Sequence, residues 1–203
     1  MKLGVLVSGN GSNLQALIDA QTQGDLAPAE IAVVISNKPG VPALERAARA
    51  GIPAEVIDHR GLDRVTFEDR VLEVLARHAV DAVVLAGFMR VLTAHFVNRF
   101  PLRIINTHPS LLPAFPGVDA PAQAIAHGVK VTGVTVHFVD ATLDGGPIIA
   151  QVAIPVEPTD DAAKLHTRIL QAEHRLLPVV VQRLAAGGLS CKGRVVTLGS
   201  GAE

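Results

Sequence analysis

Two side chains with complementary chemistry stand two residues apart at the start of the segment Asn106-Thr107-His108-Pro109-Ser110-Leu111-Leu112-Pro113. Asn106 offers a neutral amide donor, and His108 a ring that gains or loses a proton near neutrality. Together they suit a reaction in which a carbonyl oxygen becomes anionic while a proton moves. An Asn-x-His pair at a strand end also serves simple turn chemistry. What favours catalysis is a second polar cluster, Asp140-Ala141-Thr142-Leu143-Asp144-Gly145-Gly146. A carboxylate such as Asp144 beside an imidazole favours the protonated ring and fixes its orientation. No Ser or Cys is set up as a nucleophile, so direct transfer between two bound substrates is expected over a covalent acyl-enzyme. No His, Cys or carboxylate cluster has metal-site spacing, and no metal is expected.

A third polar stretch follows the first apolar run, Leu3 to Val7. Ser8-Gly9-Asn10-Gly11-Ser12-Asn13 leads into a helix with Leu14, Leu17 and Ile18 on one face, and Ser12 or Asn13 is placed to cap it. Such a turn aims backbone N–H groups and the positive end of a helix dipole at one spot, which suits a phosphate. It also serves as a tight strand-to-helix connection with no ligand. It is neither the dinucleotide fingerprint, since Leu14 stands where a third glycine would fall, nor a Walker loop.

These stretches need elements to hold them. Apolar strands are expected at Leu3 to Val7, Ile31 to Ile35, Ala54 to Ile57, Asp81 to Ala86 and Leu102 to Ile105, with helical patterns between them. The helix after the third strand is expected to start at Thr66, with Thr66 and Asp69 as its cap pair. Val131 to Val139 alternates, and with Pro147 to Val156 it suggests an antiparallel hairpin. A long helix follows from Thr159-Asp160-Asp161, with Leu165, Ile169, Ala172, Leu176 and Val180 on its buried face. The fold class is therefore α/β: one Rossmann-like, open, twisted, mostly parallel sheet flanked by helices, with an antiparallel C-terminal part. One domain is expected over residues 1–203, its core about 1–186 and its C-terminal tail, 187–203, a weak hairpin or partly disordered. In such sheets ligands bind beyond the carboxyl ends of the strands, where Asn106 and His108 would sit. Phe88 and Met89, at another strand end, read equally as pocket lining or as core.

Composition narrows the function. With 49% apolar and 18% charged residues the chain is globular, and at 203 residues it has room for one sizeable core. A formal net charge of -1 gives no electrostatic argument for a nucleic-acid partner, and an aromatic content of 3%, with no Trp or Tyr, leaves few stacking platforms. Cys191 is the only cysteine, so no internal disulfide is expected. No run is long enough for a signal peptide or a membrane span, and a cytoplasmic protein is expected.

Four motifs carry a resemblance that covers nearly the whole chain. They are Ser8-Gly9-Asn10-Gly11-Ser12-Asn13-Leu14-Gln15, Leu85-Ala86-Gly87-Phe88-Met89-Arg90-Val91-Leu92, Asn106 to Pro113, and His137-Phe138-Val139 with Leu143-Asp144-Gly145-Gly146-Pro147-Ile148-Ile149. With these the sequence resembles the phosphoribosylglycinamide formyltransferases, a branch of the folate-dependent formyltransferases. The Asn-x-His-Pro-Ser-Leu-Leu-Pro and Asp-Gly-Gly-Pro elements are shared by the wider group, and Ser-Gly-Asn-Gly-Ser-Asn singles out this branch.

The resemblance implies formyl transfer from 10-formyltetrahydrofolate, as co-substrate, to the amine of 5-phosphoribosylglycinamide in de novo purine biosynthesis. Asn106, His108 and Asp144 would be catalytic. Gly11, Ser12, Asn13 and Glu173 would contact the ribonucleotide. Arg64, Met89, Arg90, Val91, Leu92, Asn106 and Asp140 would border the folate. The implied partners are these small molecules, with no nucleic acid and no membrane, in a monomer or homodimer. The chain departs from the common pattern at Val118-Asp119-Ala120-Pro121-Ala122-Gln123, where many relatives carry His or Arg, so no basic substrate contact is expected there. Relatives acting on initiator tRNA or nucleotide sugars carry an additional domain, as do formyltetrahydrofolate hydrolases, and none is expected here. A binding module without catalysis is the alternative of a different class; it would leave His108 dispensable.

Overall fold

Runs of aliphatic residues too short for helices must be covered on both faces, and the amphipathic stretches between them supply the cover. The structure, a computed structural model, describes residues 1–199. Seven strands form one sheet: β1 (Lys2–Val7), β2 (Glu30–Ser36), β3 (Ala54–Val56), β4 (Ala82–Leu85), β5 (Ile104–His108), β6 (Val131–Phe138) and β7 (Ile148–Pro155). Their order is β3-β2-β1-β4-β5-β6-β7. The first five are parallel; β6 is antiparallel to β5, and β7 to β6. This is the expected mostly parallel α/β sheet with an antiparallel part.

Successive side chains of a strand point to opposite faces, and the two main core clusters follow that rule. Leu3, Val5 and Val7 of β1 and Ala82 and Val84 of β4 pack with α1 (Ser12–Gln23), α2 (Pro42–Arg49) and α6 (Ala162–Ala185). Leu6 of β1 and Val83 and Leu85 of β4 pack on the other face with α3 (Arg64–Arg77) and α4 (Ala94–Val97). A third cluster joins α5 (Ala120–His127) to α6 and the last two strands through Ala124, Val134, Ile154, Leu165 and Ile169.

The chain runs from β1 outward to β2 and β3, then returns to the other side of β1 as β4. The sheet's topological switch therefore lies between the carboxyl ends of β1 and β4. One bond spans it: the Met89 backbone N–H donates to Ser8 Oγ at 2.8 Å, while the Ser8 hydroxyl donates to Asn37 Oδ1 at 2.6 Å. On its far side, the loop after β4 is held by Glu68 of α3, which is buried and accepts from the Thr93 N–H at 2.7 Å and from the Thr93 hydroxyl. Beyond its stem of pairings, β5 changes company. Its pairing with β4 ends at Leu85↔Asn106, whereas its pairing with β6 continues through Thr107↔Val136 and His108↔Thr135.

Several local expectations are corrected. The fifth strand begins at Ile104, not Leu102, because Leu102 adopts φ 53° in a turn, and β6 extends it through His108. Helix α1 is not capped by Ser12 or Asn13; its N-cap is Gly11 at φ 74°, and no side chain caps it. Helix α3 starts at Arg64 rather than Thr66, since Asp63 is the N-cap and accepts from the Thr66 N–H at 3.0 Å. Strand β6 alternates in sequence but is buried on both faces from Thr132 to Phe138, as a strand between two neighbours and under helices must be. In the tail, β8 (Leu189–Lys192) and β9 (Val195–Leu198) form an antiparallel hairpin, and Leu189, Cys191 and Val196 pack against the core. Residues 200–203 of the expected tail lie outside the described residues.

The connection from β6 to β7 is shaped by one close approach. A Cβ built on Gly146 would lie 1.8 Å from the Phe138 carbonyl oxygen, which is backbone and cannot swing aside. Gly146→Ala is expected to lower stability by roughly 1–3 kcal/mol, the usual cost of overpacking, and to distort the loop that carries Asp144. Urea unfolding checks the loss of stability, and the spectroscopic signature of the Asp144 loop in the same preparation checks the distortion.

Candidate active site

The two carboxyl-terminal residues of β5 with the same parity, Asn106 and His108, share one face of the sheet. Antiparallel pairing puts His137 of β6 directly opposite Asn106. The Asn106 Nδ2 lies 3.2 Å from His137 Nε2. Across the same face, Asp144 reaches both rings: its Oδ2 is 3.4 Å from His108 Nδ1, and its Oδ1 is 3.9 Å from His137 Nε2. The carboxylate is only 10% exposed. It is held by the Gly117 N–H, which donates to Oδ2 at 2.7 Å. Asp144 has φ 48°, in the left-handed region that Asp tolerates better than most residues. The three residues expected to be catalytic are therefore brought together.

The hydrogen bonds specify the state of each ring. Nδ1 of His137 donates to the Phe138 carbonyl at 2.8 Å, so Nε2 is left to accept from the Asn106 amide. This is a neutral imidazole that orients an Asn. Burial pushes the His137 ring below its ordinary value, against the opposing pull of the Phe138 carbonyl and Asp144. His108 differs. Its Nε2 donates to the Phe115 carbonyl at 2.8 Å, and its Nδ1 faces the Asp144 carboxylate. Both nitrogens thus face acceptors, an arrangement that only a doubly protonated ring serves on both sides. Phe115 adopts φ 53°, rare for a bulky residue, and aims its carbonyl at the ring.

Sequence reasoning places His137 in a strand and in a motif of the resemblance but assigns it no role in the site. The signal that would find it is the β5–β6 register, since only that register pairs His137 with Asn106. Gly117 is likewise missed, because its contribution is a backbone N–H.

At the other side of the switch, Gly11, Ser12 and Asn13 form the entry to α1. Asn13 is buried; its Nδ2 donates to Glu173 Oε2 at 2.9 Å, and its Oδ1 is buried with no partner among the described residues. Glu173 is 4% exposed, on the inner face of α6, so it is not a solvated helix-face carboxylate. Burial raises its carboxyl above the ordinary value, and the Asn13 amide partly offsets this. Glu173 and the entry turn are therefore one unit.

The residues expected at the folate divide by exposure. Leu92 is buried in the core beneath the loop, whereas Met89 is 69% and Val91 48% exposed. The Arg90 guanidinium stacks 4.9 Å from the Phe67 ring centroid, and Phe67 in turn stacks on Phe88. Phe88 is thus core, and Met89 is the side chain of the pair that faces solvent. Arg64 is exposed at the first turn of α3, ahead of this loop in the chain. Asp140 is half-buried and accepts from the Thr142 N–H at 2.8 Å, which shapes the loop leading to Asp144. Among the described residues no group of three or more His, Cys, Asp or Glu is placed to hold a metal ion. In the departing segment, Asp119 caps α5 at φ 58° and Val118 is 81% exposed.

Comparisons with known proteins agree on one lineage. The family described as formyl transferase matches residues 1–181. The chain is similar to the trifunctional purine biosynthetic protein adenosine-3 of Homo sapiens, 48% identical over 187 residues, covering 92% of this chain but 18% of that protein's length. It is 45% identical over 201 residues to the phosphoribosylglycinamide formyltransferase of Mycobacterium tuberculosis (strain ATCC 25618 / H37Rv), covering 98% of this chain and 91% of that one. Among solved structures, glycinamide ribonucleotide transformylase 1 from Symbiobacterium toebii superposes with a TM-score of 0.96 at 46% identity, covering 98% of this chain and 94% of that chain.

Two of the buried titratable groups, His137 and Glu173, predict opposite pH effects. His137 has a folded value below 6.5, so the unfolded chain takes up a proton first as pH falls. Its stabilising contribution is full above 6.5 and is lost as pH falls through the folded value. Glu173 has a folded value above 4.5, so its contribution is full below 4.5 and is lost as pH rises through the folded value. Urea unfolding as a function of pH is expected to show a shallower loss of stability below pH 6.5 in His137→Gln than in the unsubstituted protein. Glu173→Gln is expected to gain stability relative to it near neutrality, a gain that fades in acid.

Proposed function

The chain belongs to the formyl transferase family, and from that premise we propose that it transfers the formyl group of 10-formyltetrahydrofolate to the amine of 5-phosphoribosylglycinamide. The products are the N-formyl ribonucleotide and tetrahydrofolate, a step of purine biosynthesis in the cytoplasm. The observation that carries this reading is the convergence of an amide, an imidazole held at both nitrogens and a buried carboxylate beside the sheet's switch point.

The substrate amine attacks the formyl carbon, a C–N bond forms, and the formyl oxygen takes up negative charge. Asn106 Nδ2 carries a second hydrogen besides the one given to His137, and it donates that hydrogen to this oxygen. His108, protonated against Asp144, donates as well. Because Nε2 is bonded to the Phe115 carbonyl, this donation requires the substrate oxygen to take that carbonyl's place. Such rearrangement on substrate binding is common at acid–base sites. The tetrahedral centre then collapses. The bond from carbon to the folate nitrogen breaks, and the proton released by the amine passes to that nitrogen, with His108 or a water as carrier. Asp144 stays ionised throughout, holding the His108 ring.

Binding follows the same division. Backbone and side-chain donors of Gly11, Ser12 and Asn13 hold the ribonucleotide phosphate, and the buried Glu173 braces the Asn13 amide from behind. The exposed Met89 and Val91, with Arg90 on its Phe67 platform, border the folate ring on the opposite wall, with Arg64 and Asp140 at its rim and Leu92 as the floor. Monomer and homodimer are both compatible with this site, whose residues all come from one chain.

Formyl transfer is measured with the ribonucleotide present and omitted. Turnover that requires the ribonucleotide is the expected result; loss of formyl without it would instead mark a hydrolase. His108→Ala is expected to lower kcat by about 10²–10⁴, the range for a lost acid–base group, and Asn106→Ala by about 10²–10³. Binding of both substrates with no turnover at all would make the site a binding module, and turnover unchanged in His108→Ala would remove His108 from the chemistry.

A further inference from the structure

Helix α2 contributes none of the side chains discussed above, yet the phosphate turn is built against its first turn and a half. The Ala43 N–H donates to the Gly9 carbonyl at 3.2 Å. A Cβ on Gly11 would lie 2.6 Å from the Ala43 Cβ, so the two backbones approach as closely as a glycine permits. One turn further along, Arg46 reaches back over the same turn. Its Nε donates to the Asn10 carbonyl at 2.9 Å, its Nη2 to Asn10 Oδ1 at 2.8 Å, and its Nη1 to Gln15 Oε1 at 3.1 Å.

Two features of this clamp go beyond scaffolding. The guanidinium grips one residue by both its backbone and its side-chain oxygen, and it bridges to Gln15 in the first turn of α1. Asn10 is thereby fixed between Gly9 and Gly11, the residues that set the direction of the N–H groups of Ser12 and Asn13. Secondly, all three acceptors are neutral. No ion pair joins Arg46 to a carboxylate among the described residues, although Asp19 faces the same groove between α1 and α6. Asp19 itself accepts from Gln15 Nε2 at 2.8 Å. On the opposite wall of that groove stand His174 and Arg175 of α6, and the Arg46 charge helps hold the His174 ring below its ordinary value, after burial. An arginine that stays uncompensated beside a turn of converging N–H groups raises the potential where an anion would bind.

Resting on the reading of that turn as the ribonucleotide phosphate site, we propose that Arg46 is the positioning residue for the phosphate. It locks Asn10 so that the turn is preorganised, and its unpaired charge favours a phosphorylated ribosylglycinamide over the same molecule without phosphate. The guanidinium acts through the turn and takes no part in the formyl step.

Three preparations test this: the unsubstituted protein, Arg46→Met and Arg46→Lys. Arg46→Met is expected to raise the KM for the ribonucleotide and the Kd for inorganic phosphate, read by calorimetry, by the same factor of roughly ten or more, the scale of hydrogen bonds to a charged group. The kcat and the KM for 10-formyltetrahydrofolate should stay within about twofold, since neither depends on the turn. Arg46→Lys keeps the charge without the planar fork and should fall between the two. Phosphate bound equally by the unsubstituted protein and by Arg46→Met would overturn the proposal. So would an equal fall of kcat and of folate affinity with a lowered unfolding midpoint, because it would make Arg46 a brace for the whole fold. Phosphate binding is read without turnover. A protein that binds phosphate through Arg46 but transfers no formyl group would therefore uphold this assignment while removing the proposed activity.

Discussion

A carboxylate that is nine-tenths buried must be met by donors, since an unpaired buried charge costs several kcal/mol in real proteins, roughly. Asp144 is in that position, and the site is arranged around satisfying it. The Gly117 N–H reaches it from the turn after β5 and the His108 Nδ1 from the end of β5, while the unprotonated His137 Nε2 at the end of β6 lies 3.9 Å away and gives it no hydrogen. One side chain on the β6–β7 connection thus ties together two strands and two loops. The same contacts that make its burial tolerable give the two imidazoles distinct roles: His137 is neutral and orients Asn106, while His108 has an acceptor at each nitrogen. Two histidines within reach of one carboxylate are differentiated by what lies on their other side.

The second half of the site depends on the sheet's reversal between β1 and β4. Both strands end at the same level, and the Ser8 hydroxyl bridges them, so the turn from Ser8 to Asn13 and the loop bearing Met89 to Leu92 are held in fixed relation. In the proposed reaction, a substrate at one wall faces a substrate at the other. Proximity of this kind is worth more to a two-substrate reaction than any single hydrogen bond. The polar walls are themselves backed by buried polar contacts, Glu173 behind Asn13 and Glu68 behind Thr93. Neither glutamate is solvated, and each satisfies a backbone or side-chain donor that would otherwise be left in the interior.

How far the sequence could be read varied with how local the cause was. Strands β1, β2 and β4, the hairpin of β6 and β7, and helix α6 are legible because aliphatic runs and helical periodicity are properties of neighbouring residues. The misplaced boundaries each have a non-local or competing cause. Asp63 took the cap that Thr66 was expected to share. Gly11, with its freedom at φ 74°, displaced Ser12 and Asn13 as the cap of α1. The fifth strand lengthened to His108 only because β6 continues beside it after β4 has stopped.

The sequence by itself determined the α/β class, the spacing of Asn106 and His108, the carboxylate loop and the glycine turn, together with the lineage those motifs mark. These are written in contiguous residues, so composition and spacing carry them. The tertiary structure alone decided that His137 stands opposite Asn106, that Glu173 is buried behind Asn13, and that Arg46 reaches the turn from another helix. Each of these joins residues more than thirty positions apart, or depends on a strand register, and a one-residue slip in register turns a side chain to the opposite face. No local pattern encodes such a pairing. It is fixed when the two faces of the sheet are packed.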